Sequence, residues 1–192
     1  MSKRYAIPQA AEFNTREDGE NLIIEGYFAV FGGQYWLWED AYETVEPGAF
    51  DLTRDTDVRA LTNHDTTLVL GRTTAGTLAL TQDERGLWGQ VIINRADQDA
   101  VNLYERVKRG DVSQCSFGFD IIREDVEHTA GAPTVWHIRE VKLYEVSVVT
   151  FPAYEDTAVA TRRADIADIE KRRLEAWRAE TLKKLRRENN GT

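Results

Sequence analysis

Apolar residues in this chain recur mostly at every second position, in short segments separated by turn residues, the way half-buried strands read. Leu22 to Phe31, LIIEGYFAVF, is rich in β-branched and aromatic residues and stops at Gly32-Gly33, which predicts a strand closed by a turn. An aromatic and acidic stretch, YWLWEDAYETVEPGAF, follows, with a turn at Pro47-Gly48. Val58 to His64 predicts a strand, and Thr77 to Leu80 with Leu87 to Ile93 predicts a hairpin about the polar connection DERG. The period changes at Asp97 to Arg109, where Ala100, Val101, Tyr104 and Val107 fall three and four apart and Gly110 is placed to stop a helix.

Alternation returns at Val112 to Arg123, putting Cys115, Phe117, Phe119 and Ile121 on one face and Ser116, Gly118 and Asp120 on the other. After the turn Thr129 to Pro133, Val135 to Thr150 is a long β-prone run ending at Phe151-Pro152. From Arg162 onward only a charged helix is predicted, with Ile166, Ile169, Leu174, Trp177, Leu182 and Leu185 at mixed spacing. The expected architecture is mainly β with helices (α+β): a barrel or sandwich with one inserted helix, residues 1–161, and a charged helical tail, residues 162–192.

Composition bounds the function. At 192 residues, with 42% apolar and 30% charged positions, the chain reads as an ordinary globular protein of one domain plus an appendage. No run of about 18 apolar residues could span a bilayer, and the first residues have no signal-peptide core, so a soluble, cytoplasmic protein with no membrane partner is expected. The single cysteine, Cys115, excludes an internal disulfide and a multi-cysteine zinc site. The net charge of −9 is uneven: Arg162 to Glu188 holds ten Lys/Arg against six Asp/Glu, so the rest of the chain carries −13. A body so acidic is a poor match for nucleic acid.

The scarce reactive residue is histidine, present three times, as His64, His128 and His137. With one cysteine and no HExxH these make no recognisable metal set, and no cofactor is implied. His64 stands among polar residues at the end of a predicted strand, from which an imidazole could reach a cleft, though a hydrogen-bonded structural histidine fits the same pattern. Asp65 is poorly placed to orient it, because adjacent strand residues point to opposite faces. Ser116 lies mid-strand, away from any GxSxG elbow. It reads equally as a plain strand serine, yet Gly118 shares its face, and a strand glycine often marks where a backbone or ligand comes close. Cys115 points to the core and behaves as a small apolar side chain. Tyr35, Trp36, Trp38 and Tyr42 leave open a different reading, a polysaccharide- or nucleotide-binding barrel with an aromatic stacking platform.

Five phrases occur in order between about Ile24 and Tyr154: EGYFAVFG, VEPGAF, ALTNHD with VLGRT, GDVSQCSFGFD, and LYEVSVVTFPAY. In that order the chain resembles the prohead maturation serine proteases of tailed phages, a group akin to the herpesvirus assemblins. The resemblance implies an assemblin-like closed or partly closed β-barrel, with His64 as base and Ser116 as nucleophile. For the third member it implies Glu145 or, on the assemblin pattern, His137. The implied activity is an endopeptidase that cuts itself and the scaffold protein or the scaffolding segment of the major capsid protein, inside the assembling procapsid in the host cytoplasm. Self-association as a homodimer is implied by the same analogy. The alternative is a non-catalytic capsid assembly protein on the same fold. Oxyanion donors are expected to be backbone N–H groups, which no sequence can name.

Overall fold

The computed structural model describes residues 4–6, 13–129, 131–151 and 156–189. The chain divides into two compact units, Met1–Tyr154 and Glu155–Thr192. The first is built from eleven described strands and one α-helix: β1 (Arg4–Ala6), β2 (Asn14–Asp18), β3 (Asn21–Val30), β4 (Tyr35–Trp38), β5 (Ala41–Val45), β6 (Arg59–Thr62), β7 (Asp65–Arg72), β8 (Leu78–Gln82), β9 (Gly86–Ile93), α1 (Gln98–Arg109), β10 (Gln114–Glu127) and β11 (Thr134–Val149). The second unit is a single helix, α2 (Asp156–Asn189), which starts six residues before the expected Arg162. Along it Leu174 and Trp177 are exposed among charged residues. No described helix is long and apolar enough to cross a membrane.

The described strands form two separate sheets, which corrects the expectation of a closed barrel. One sheet is the antiparallel set β2-β3-β9-β8; the other runs β1-β10-β11-β5-β4, with β6 also on β11 and β7 on β6. The predicted hairpin about DERG is β8–β9, paired from Leu78↔Val91 to Gln82↔Leu87. The predicted helix is α1, and its start is chemical: the Asp97 carboxylate accepts from the amides of Asp99 and Ala100. Gly110 ends it at φ 85°.

Residues of both sheets and of α1 share one core, with Ile24 and Phe28 from β3, Leu87 and Val91 from β9, Cys115, Phe117 and Phe119 from β10, Val146 and Val148 from β11, and Leu103 and Tyr104 from α1. The aromatic stretch folds as the hairpin β4–β5. Tyr35 is buried and donates to the Val30 carbonyl, Trp38 meets the buried Trp136 edge-on, and Trp36 lies against Tyr42.

The centre of this unit is the pair β10–β11, antiparallel from Gln114↔Val149 to Glu127↔Val135. Three irregularities interrupt it: Tyr144, Ile122 and Arg139 are each an extra residue on their strand. The middle of β11 is pinned from outside the sheet. The buried Asp55 carboxylate accepts from the Leu143 amide at 2.9 Å and from Arg54 Nε at 3.1 Å, while Arg54 also reaches Glu140 at 2.7 Å and the Val141 carbonyl at 2.5 Å. Replacing Asp55 by alanine orphans a buried amide and strips Arg54 of a partner. Asp55→Ala is therefore expected to destabilise the fold by about 2–4 kcal/mol, measured as a lowered urea midpoint; a loss below about 0.5 kcal/mol would contradict this account.

Candidate active site

β10, β11 and β6 lie side by side, so the site can be read from their register. β11 pairs with β10 through Ser116↔Ser147 and Gly118↔Glu145, and with β6 in parallel through Glu145↔Arg59 and Ser147↔Leu61. Paired residues point to the same face and alternate residues to opposite faces. Ser116, Gly118, Glu145 and Ser147 therefore share the face turned away from Phe117, Val146 and Val148. It is a buried face: Ser116 and Ser147 are 0% exposed and Glu145 5%.

His64 is not on a strand, as the alternation had suggested. It is the second residue of the two-residue loop joining β6 to β7, whose flanking pair is Thr62↔Asp65. Asn63 and His64 have φ of 50° and 60°, the positive values that a type I′ hairpin turn demands at both positions. Three hydrogen bonds hold this turn against β11 and the residue just after it: the Asn63 amide to the Val148 carbonyl at 2.9 Å, the Thr150 amide to Asn63 Oδ1 at 2.8 Å, and the His64 amide to Ser147 Oγ at 3.3 Å. Asp65 turns back to accept from the Thr67 amide and hydroxyl.

From this turn the imidazole reaches Glu145, with Nδ1 2.7 Å from Oε1. An ionised carboxylate only accepts, so Nδ1 carries the proton and, in the neutral ring, Nε2 carries the lone pair. The other carboxylate oxygen is taken as well, since Ser147 Oγ donates to Glu145 Oε2 at 2.6 Å. The space for this carboxylate exists because residue 118 is glycine. A Cβ there would lie 2.5 Å from Glu145 Oε1. Gly118 had been read as room for a substrate or backbone; what comes close to it is Glu145. The extra residue Tyr144 sets the register that places Glu145 opposite Gly118, and its hydroxyl donates to Asp120 at 2.8 Å.

Ser116 Oγ is buried and has no hydrogen-bond partner among the described residues. Such a hydroxyl costs about 1–3 kcal/mol, a price that buried groups with a chemical task commonly carry. Cys115, on the opposite face, donates its thiol to the Tyr27 carbonyl at 3.1 Å, beside the bulge of β3 at Phe28. Burial pushes that thiol well above the ordinary cysteine range.

The other two histidines are elsewhere. His137 lies eight residues before Glu145 on β11, roughly 25 Å along a strand. There Nδ1 is 2.6 Å from Glu46, Nε2 is 3.6 Å from Glu127, and Arg139 bridges Glu46 and Asp125. His128 bonds the Thr134 hydroxyl at 2.7 Å across the 129–133 turn. Asn63 and Ser147 had no place in the sequence reading. Asn63 could have been suspected, since Asn before a second loop residue between two alternating segments is a hairpin signal; Ser147 had no local signal.

His64 held by a buried carboxylate, beside a strand face that carries Ser116, has the residue types serine hydrolases use to move a proton. The family model described as caudovirus prohead serine protease matches residues 9–172. The chain belongs to that family. It is also similar to the prohead protease of Enterobacteria phage HK97, at 27% identity over 151 residues, 77% of this chain and 63% of that protein. The chain thus spans less than two thirds of the length of that curated relative. Among solved structures it aligns with the bacteriophage T4 capsid assembly protease, at TM-score 0.46 and 11% identity over 78% of this chain and 99% of that one.

Two outcomes follow from the geometry alone. Gly118→Ala should displace the Glu145 carboxylate and abolish the low-field imidazole N–H proton resonance of His64 while the far-ultraviolet circular dichroism stays native; a retained resonance would contradict the contact. Cys115 should resist alkylation by iodoacetamide in the folded protein and react only on unfolding, as a buried thiol of raised pKa must.

Proposed function

We propose that this chain is a serine endopeptidase of prohead maturation, with Ser116 as nucleophile, His64 as general base and Glu145 as the acid that orients it. The observation that carries this reading is the His64 Nδ1 to Glu145 Oε1 contact of 2.7 Å on the face that bears Ser116. In the first step Ser116 Oγ bonds to the substrate carbonyl carbon as its proton passes to His64 Nε2; the imidazolium is stabilised by Glu145. The imidazolium then gives that proton to the departing amine as the C–N bond breaks, leaving an ester on Ser116. A water, deprotonated by the same nitrogen, cleaves the ester and restores the hydroxyl. Because Ser116 is fully buried, its strand face has to open before a peptide carbonyl can reach it.

The proposed substrates are the scaffold protein or the scaffolding segment of the major capsid protein, and the enzyme itself, cut inside the procapsid in the host cell. Residues 1–161 then form an assemblin-like protease domain able to self-associate. Residues 162–192 form a charged tail suited to an acidic scaffold helix, with Leu174 and Trp177 as its exposed apolar contacts.

The test is co-expression with the cognate capsid protein, read by mass spectrometry of the intact chains. The wild type should shorten the capsid protein, and Ser116→Ala and His64→Ala should each leave it uncut. Glu145→Gln, which keeps the size but not the charge, should slow cleavage by about 10⁴-fold, whereas His137→Ala should leave it near wild type. Cleavage by Ser116→Ala would end the proposal, and an uncut capsid protein with the wild type would favour the non-catalytic assembly role.

A further inference from the structure

We infer that Ser147 is a positioning residue of this site, a hydroxyl that locks both the Glu145 carboxylate and the His64 backbone in working geometry; the inference rests on the proposed roles of Ser116, His64 and Glu145. A carboxylate that accepts one hydrogen bond can still rotate about its last torsion. Glu145 cannot, because Oε1 is held by His64 Nδ1 at 2.7 Å and Oε2 by Ser147 Oγ at 2.6 Å. The same Ser147 oxygen accepts the His64 amide at 3.3 Å. One small group that both donates and accepts is needed at this point, and a hydroxyl is such a group.

The location excludes water from the task. Ser147 is 0% exposed and its strand partner is Ser116 itself. Without the hydroxyl, Glu145 Oε2 loses its donor in a buried setting and the His64 amide loses its acceptor. The turn that presents the imidazole is then held by only two of its three bonds. Ser147 touches neither the reacting atoms nor the proton in transit; it acts through the acid and the base.

The experiment is the rate at which a fluorophosphonate modifies Ser116 in the purified chain, followed by mass spectrometry. Ser147→Ala, checked for a native melting transition, should react about 10- to 100-fold more slowly at neutral pH, short of the roughly 10⁴-fold loss that removal of an orienting acid causes. Ser147→Thr, which keeps the hydroxyl, should recover most of the rate. A Ser147→Ala rate within twofold of wild type, or equal losses in the alanine and threonine variants, would overturn the inference while leaving the protease reading intact. Failure of the wild type itself to react at Ser116 would overturn both.

Discussion

A carboxylate with 5% of its surface exposed has almost no solvent to stabilise its charge, and the penalty for such burial is several kcal/mol unless donors replace the water. At Glu145 two donors do so, one to each oxygen, from His64 Nδ1 and Ser147 Oγ. Much of the local structure is arranged around that requirement. Gly118 leaves out the Cβ that would occupy the carboxylate's place. The extra residue Tyr144 sets the register that brings Glu145 opposite that glycine. Each of these features would be a local defect by itself; together they give the buried carboxylate its room and its two donors.

The strand that carries Glu145 also ties the polar face to the packed core. β11 is sixteen residues long and pairs with β10 along nearly its whole length, with β5 over its first part and with β6 over its last. Its odd and even residues therefore serve two masters: Val146 and Val148 fill the common core, while Glu145 and Ser147 face the other way. Displacing either of the latter means displacing the former, so the precision of the polar face is inherited from the packing of the apolar one. The His137 cluster sits on the same strand but at the end covered by β5, where it is tied into a web of Glu46, Glu127, Arg139 and Asp125. Two histidine–carboxylate pairs thus share one strand, and only one of them faces a serine.

What the sequence made legible follows from how local each signal is. β3, the β8–β9 hairpin, α1 with its Asp97 and Gly110 ends, and the alternation of Cys115, Phe117 and Phe119 are written in spacing, and they stand in the structure with shifts of one or two residues. Closure was not legible, because whether strands end in one barrel or two sheets depends on long-range pairing that no window of residues contains. The short hairpin β4–β5 was hidden by its aromatic and acidic composition, and the start of α2 at Asp156 was hidden by a stretch with little periodicity. At the site, the alternation placed Ser116 and Gly118 on one face correctly. Yet Gly118 was taken to make room for something approaching from outside, when the occupant is a side chain of the neighbouring strand. Ser147 was illegible because its importance lies entirely in two bonds to residues that only the register brings close.

The placement of His64 shows why a strand could not have brought its imidazole to Glu145. On a regular strand, side chains stand perpendicular to the sheet and alternate, so a histidine at the end of β6 would point either into the core or straight off the opposite face. In the two-residue turn the backbone instead runs through positive φ at both residues, and the imidazole is thrown back toward β11. A histidine pays for that conformation where glycine would not, by roughly 1–2 kcal/mol. The turn bears it because Asn63, whose side chain tolerates the same region and bonds the Thr150 amide, shares the strain, and because the amides of both loop residues find acceptors on β11. Removing the strain by putting glycine at position 64 would remove the imidazole, and its contact with Glu145, with it. The stability of the hairpin and the chemistry of the site are therefore set against each other at one residue, and the contacts to β11 are what hold the balance on the side of chemistry.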